Sequence, residues 1–160
     1  MNDNLLVIGY GNTLRSDDGV GARVAEAVAN LGLPGVGTHA CTQLTPELAE
    51  IVSKAGAVIF VDVAADGPVA HPILRRLEPA DSSRTLSHSA DPRTLLALAR
   101  DVYGRAPEAW CLMVPAENIG FGDELSPIAR QGLKEAVRKI RDLRRRRASG
   151  SSATPPFANH

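Results

Sequence analysis

Cysteine is scarce in this chain. Cys41 and Cys111 are the only two, they lie far apart, and neither belongs to a Cys-x-x-Cys pair. That spacing excludes a disulfide framework and a zinc knuckle and predicts free, buried thiols of a reducing cytosol. There is no surplus of charge either. Lys plus Arg and Asp plus Glu number 18 each, so the formal net charge is zero. Wholesale nucleic-acid binding, which needs a basic excess, is not expected. No apolar run is long enough to cross a membrane, and the opening residues, MNDNLLVIGYGN, carry no basic stretch ahead of a signal-like segment. A soluble, cytoplasmic protein is expected, with a monomer as the default. The Gly-x-Ser-x-Gly signature is also missing, so no serine or cysteine nucleophile stands in a recognisable setting.

The 160 residues, 44% of them hydrophobic, suffice for one domain with a real core. Leu5–Gly9 is a short apolar run with a glycine-rich sequel, the profile of a buried strand. Val20, Val24, Ala27, Val28 and Leu31 recur at three- and four-residue steps and predict a helix over 20–31. Residues 36–41 read as a weaker strand, 57–63 (AVIFVDV) as the strongest, 71–77 as an edge strand and 109–115 (AWCLMVP) as another buried one. A hydroxyl or carboxylate followed by proline marks three helix starts: Thr45-Pro46, Asp91-Pro92 and Ser126-Pro127. The last helix carries Ala129, Leu133, Val137, Ile140 and Leu143 on one face and ends in Arg144–Arg147. Residues 1–146 are thus expected to form the folded domain, and 147–160, small, polar and proline-bearing, a disordered tail.

Strands alternating with helices imply a mostly parallel sheet of about five strands in a three-layer α/β/α domain, the first strand lying between the second and the third. Open sheets of this kind bind ligands at the carboxyl ends of their strands, where strand order reverses. Asp17 and Asp18 follow the first strand and Asp62 ends the third, so acids 44 positions apart (18 to 62) converge on one crevice. Carboxylates brought together call for a compensating cation. Carboxylate oxygens plus one imidazole suit nickel, zinc or iron and leave positions open for water or substrate. His88, in the polar loop 85–90 ahead of the Asp91-capped helix, is the imidazole candidate; His39 and His71, near expected strands, are rivals. Asp18 has a second reading as a helix cap assisted by Asp17, with Asp17 facing solvent or capping and Asp18 facing the crevice. Asn12 suits either a backbone bond within the turn or a substrate contact.

The run Gly9-x-Gly11-Asn12-x-Leu14-x-x-Asp17-Asp18-Gly19-x-Gly21 is similar to the opening of the nickel–iron hydrogenase maturation proteases. The resemblance continues through Val61-Asp62 at the end of a central strand and Ser87-His88-Ser89 before a proline-started helix. Phe121-Gly122-x-x-Leu125-Ser126-Pro127 extends it, so that it spans roughly residues 4–143. It implies a metal-dependent endopeptidase that clips a C-terminal extension from the hydrogenase large subunit precursor after nickel insertion. The nickel would be borne by the substrate and act as the recognition signal; zinc or cadmium could substitute in a crystal. The family's ligand positions fall on Asp18, Asp62 and His88, which are also the expected catalytic residues, and Gly11, Asn12, Asp17 and Gln43 are expected against the substrate. This chain departs from some members in having Asp rather than Glu at 18, Cys41–Glu47 in place of a Gly-Thr-rich loop, and serines around His88.

Three other functions compete. Gly9-x-Gly11 suits a dinucleotide site, but Leu14 stands where the third glycine belongs, and Asp17 and Asp18 would repel a pyrophosphate. A peptidyl-tRNA hydrolase, which also opens with a strand and Gly-x-Gly-Asn, would need a basic RNA groove. A nickel-sensing, chaperone-like binding protein of the same fold would hold the subunit without cutting it. Metal-assisted hydrolysis is the reaction class the residues favour.

Overall fold

The structure is a computed structural model that describes residues 4–64, 70–82 and 91–150. Five strands, β1 (Leu5–Tyr10), β2 (Val36–Cys41), β3 (Ala57–Val63), β4 (Ile73–Leu77) and β5 (Glu108–Val114), form one sheet in the order β2-β1-β3-β5-β4. The pairs β1/β2, β1/β3 and β3/β5 are parallel, and β4 closes the far edge antiparallel to β5. The helices are α1 (Val20–Leu31), α2 (Leu48–Lys54), α3 (Pro92–Tyr103) and α4 (Pro127–Ala148). The predicted architecture, including the central place of β1, is the one found. Among the described residues, no helix is long and apolar enough to cross a membrane.

Strand side chains alternate between the two faces of a sheet, and here that alternation builds two cores. Leu5, Val7, Ile59 and Val61 pack under α1 and α4 with Val24, Val28, Ile140 and Trp110. Ile8, Val58 and Phe60 pack on the other face with Leu48, Val52, Leu95 and Leu96 of α2 and α3. β1 and β3 are buried on both faces, which explains their near-continuous apolar runs. β4 lies at an edge and keeps charge there: the Arg76 guanidinium sits 5.1 Å from the Trp110 ring centroid.

Two of the three cap-then-proline signals work as read. Asp91 Oδ1 accepts from the Thr94 amide at 2.8 Å, and Ser126 Oγ from that of Ala129 at 3.3 Å. The third does not. Thr45–Glu47 is a turn, closed by the Leu48 amide donating to the Thr45 carbonyl at 3.1 Å, and α2 starts at Leu48 without a side-chain cap. Smaller corrections concern the edges. β4 begins at Ile73, leaving His71 outside it, and α4 runs through Arg144–Arg147 to Ala148. Cys41 and Cys111 are free but only half-buried. The remainder of the expected tail, 151–160, lies outside the described residues.

The amino end of α1 is pressed onto the sheet. A Cβ at Gly21 would collide with the carbonyl oxygens of Val61 and Tyr10, so only glycine lets the helix start this close to the ends of β1 and β3. Gly21→Ala is expected to cost about 2 kcal/mol or more through forced separation of helix and sheet. Urea unfolding of the two proteins measures it, and unchanged stability would contradict this packing.

Candidate active site

Strand order reverses between β1 and β3, and the carboxyl ends of these strands frame a notch. Their register pairs Gly9 with Val61, which puts Tyr10 level with Asp62. The Tyr10 hydroxyl donates to Asp62 Oδ2 at 2.9 Å, and the Val63 amide donates to Oδ1 at 2.7 Å. Asp62 is half-buried at the end of an otherwise buried strand. Burial pushes its carboxyl above the ordinary range, the Tyr10 and Val63 donors pull it back, and the Asp18 carboxylate pushes it up again. Asp62 thus stands near the carboxyl end of β3, beside β1, whose following loop carries Asp18.

Asp18 arrives there by a tightly folded loop. Gly11 turns at φ +144°, and a Cβ there would strike the Asp18 carbonyl oxygen. Asn12 Oδ1 accepts from the Leu14 amide at 2.9 Å, while the Asn12 amide donates to Asp18 Oδ2 at 3.0 Å. The side chain of Asp18 thus holds the loop at the exit of β1. It does not cap a helix: residues 16–19 make a short 3-10 turn, and Gly19 stands at the α1 cap position without a side-chain bond. Asn12 realises the intraloop reading and is half-exposed; Gln43 is exposed in the loop after β2.

Asp17 differs from its expected placement. It neither faces solvent nor caps α1, and a substrate contact does not fit its surroundings: the residue is 0% exposed. It accepts four hydrogen bonds from the loop that follows β5: the amides of Glu117 (2.8 Å), Asn118 (3.0 Å) and Ser126 (2.8 Å), and the Ser126 hydroxyl (2.6 Å). Burial pushes this carboxyl up, but the Ser126 hydroxyl and the three amides outweigh it and hold it below the usual range. Backbone bonds complete the seam. Ser16 donates to the Gly122 carbonyl at 2.8 Å, Gly122 to Leu14 at 2.9 Å and Asp17 to Asn118 at 2.9 Å. The joined loops present Leu14, Ile119 and Phe121 to solvent, Phe121 at 93% exposure, with the Arg15 guanidinium 5.9 Å from its ring centroid.

His88 lies outside the described residues. Its rivals lie elsewhere: His39 is inside β2, and His71 Nδ1 pairs with Glu135 at 3.0 Å. Among the described residues, no three His, Cys, Asp or Glu side chains form a cluster able to hold a metal ion, so a three-ligand site here needs a group from beyond them. The donor chemistry present does fit a divalent ion. Asp18 and Asp62 are oxygen donors of the kind such ions take, carried at the exits of neighbouring strands. Sequence reading missed Tyr10. Its hydroxyl is pushed far up by burial first and by Asp62 next, with smaller contributions from Cys111 and Asp91, so it stays a donor at any working pH. Cys111 is pushed up to about 12 by burial, then by Asp62, and is no nucleophile at neutral pH.

No protein-family model matches the chain, and no curated protein matches it in sequence. Solved structures do match in fold. The hydrogenase 2 maturation peptidase from Thaumarchaeota archaeon SCGC_AB-539-E09 superposes with a TM-score of 0.64 at 23% identity, covering 88% of this chain and 97% of that one. The hydrogenase maturating endopeptidase HybD from E. coli gives 0.65 at 22%, over 92% and 94% of the two chains. The [NiFe] hydrogenase maturation protease HycI from Thermococcus kodakarensis KOD1 gives 0.64 at 21%, over 89% and 91%.

Asp17→Asn is expected to destabilise the protein by about 3 kcal/mol at neutral pH, because an amide cannot accept all the donors aimed at a buried carboxylate. The native carboxyl titrates below the unfolded one, so its contribution is complete above about pH 4 and is lost as pH falls through the lower native value. Urea unfolding at neutral and acid pH checks this: the wild type and the variant should converge in acid, and a gap unchanged by pH would contradict it. Across nearly the whole described chain, this protein has the fold of the hydrogenase maturation proteases.

Proposed function

We propose that this chain is an endopeptidase that removes a C-terminal extension from a nickel–iron hydrogenase large subunit precursor, with substrate-borne nickel as the recognition signal. The observation that supports the reading is that Asp62 stands near the carboxyl end of β3, paired with β1, whose following loop carries Asp18. By the sequence resemblance these are the residues onto which the family's acidic ligand positions fall, and the fold likeness to named maturation proteases supports the general function. His88 is the third ligand of this proposal. It stands three residues before Asp91, the cap of α3.

The protein's own part in the chemistry is then positional. Asp18 and Asp62 offer carboxylate oxygens to the metal-bearing end of the substrate, and His88 supplies a neutral nitrogen. A substrate-borne ion held by these residues would supply Lewis-acid chemistry for hydrolysis of the scissile bond. Because the acids stand on a strand end and on a loop fixed by backbone bonds, they meet the substrate with little rearrangement. The open apolar rim of Leu14, Ile119 and Phe121 gives the polypeptide a surface beside the acids.

Asp62→Asn and His88→Ala are each expected to abolish processing of a nickel-loaded precursor while leaving the circular dichroism spectrum unchanged. Mass spectrometry of the precursor reads the result. Normal processing by His88→Ala would remove the imidazole from the site, and normal processing by Asp62→Asn would remove the acid. Tight binding of the precursor without any shortening by the wild type would instead identify a non-catalytic binding protein.

A further inference from the structure

We infer that Tyr10 is a positioning residue that sets the orientation of the Asp62 carboxylate for metal binding; the inference rests on the metal-site reading above. A strand-end aspartate has a freely rotating carboxylate unless both oxygens are held. Here both are: the Val63 amide holds Oδ1 at 2.7 Å and the Tyr10 hydroxyl holds Oδ2 at 2.9 Å. The first bond comes from the neighbouring residue and is local. The second crosses from β1 to β3 and ties the carboxylate to the strand whose following loop carries Asp18.

A carboxylate has about four acceptor positions. With one taken at each oxygen, each keeps one for an ion. The tyrosine ring is itself anchored: it packs against the core formed by Ile8, Phe60 and Leu95 beneath α2 and α3. The hydroxyl is thus delivered by a fixed ring rather than by a flexible side chain, and Phe at this position would keep the ring while deleting only the bond. Partners that orient a ligand in this way typically contribute 10–100-fold, roughly, to metal affinity.

Titration of the full-length protein with Co²⁺, followed by its visible absorption, tests the assignment in wild type, Tyr10→Phe and Asp62→Asn. The wild type is expected to bind one ion, Asp62→Asn to lose it, and Tyr10→Phe to bind one ion with affinity reduced about 10–100-fold and an unchanged circular dichroism spectrum. Tyr10→Phe binding as tightly as wild type, while Asp62→Asn fails, would overturn the positioning role alone. A wild type that takes up no Co²⁺ at millimolar concentration would overturn the metal site and the role of Tyr10 together.

Discussion

Everything at the mouth of this sheet depends on the buried carboxylate of Asp17. Its four hydrogen bonds run to a loop about one hundred residues away and lock the exit of β1 to the entrance of α4. One donor, Ser126, is also the cap of α4, since its Oγ donates to Asp17 and accepts from Ala129. A single carboxylate therefore fixes the loop that carries Asp18 and the start of the longest helix. A charge can be buried this way because every donor is a preformed amide or hydroxyl and no unpaired partner is left behind.

Adjacent aspartates thus divide two tasks that conflict. Asp17 is saturated with donors and held ionised, which stabilises the fold. Asp18 keeps one oxygen on the Asn12 amide, and the Asp62 carboxyl is pushed up by burial and only partly pulled back by the Tyr10 and Val63 donors. Under the proposed function these two carboxylates are the ones offered to a cation. Tyr10 mediates between the two roles: it belongs to the core of β1 through its ring and to the notch through its hydroxyl.

Much of this was legible in the sequence, for local reasons. The apolar steps of Val20–Leu31 mark α1 to the residue, and Asp91 and Ser126 announce their helices because capping is decided within four residues. The same signal failed at Thr45, where Leu44 must enter the core and the chain spends Thr45–Glu47 on a turn before the helix can start. Strand order alone put the loop that carries Asp18 beside the strand that carries Asp62. What stayed hidden was non-local. Nothing near Asp17 in the chain reveals donors at 117, 118 and 126, so the sequence points to a solvent-facing, capping or substrate-contacting acid where the structure has a buried one. Tyr10 needed the register of β1 against β3: once Gly9 is paired with Val61, its hydroxyl falls level with Asp62.

Under the proposed function, two acids at the mouth of β1 and β3 read a metal carried by a hydrogenase subunit and direct its cleavage. Incubating the wild-type protein with a large subunit precursor, with and without nickel loaded, and weighing the product tests it most directly. The account predicts loss of the C-terminal extension from the nickel-loaded precursor only. Equal shortening of the nickel-free precursor, or none of either, would contradict it.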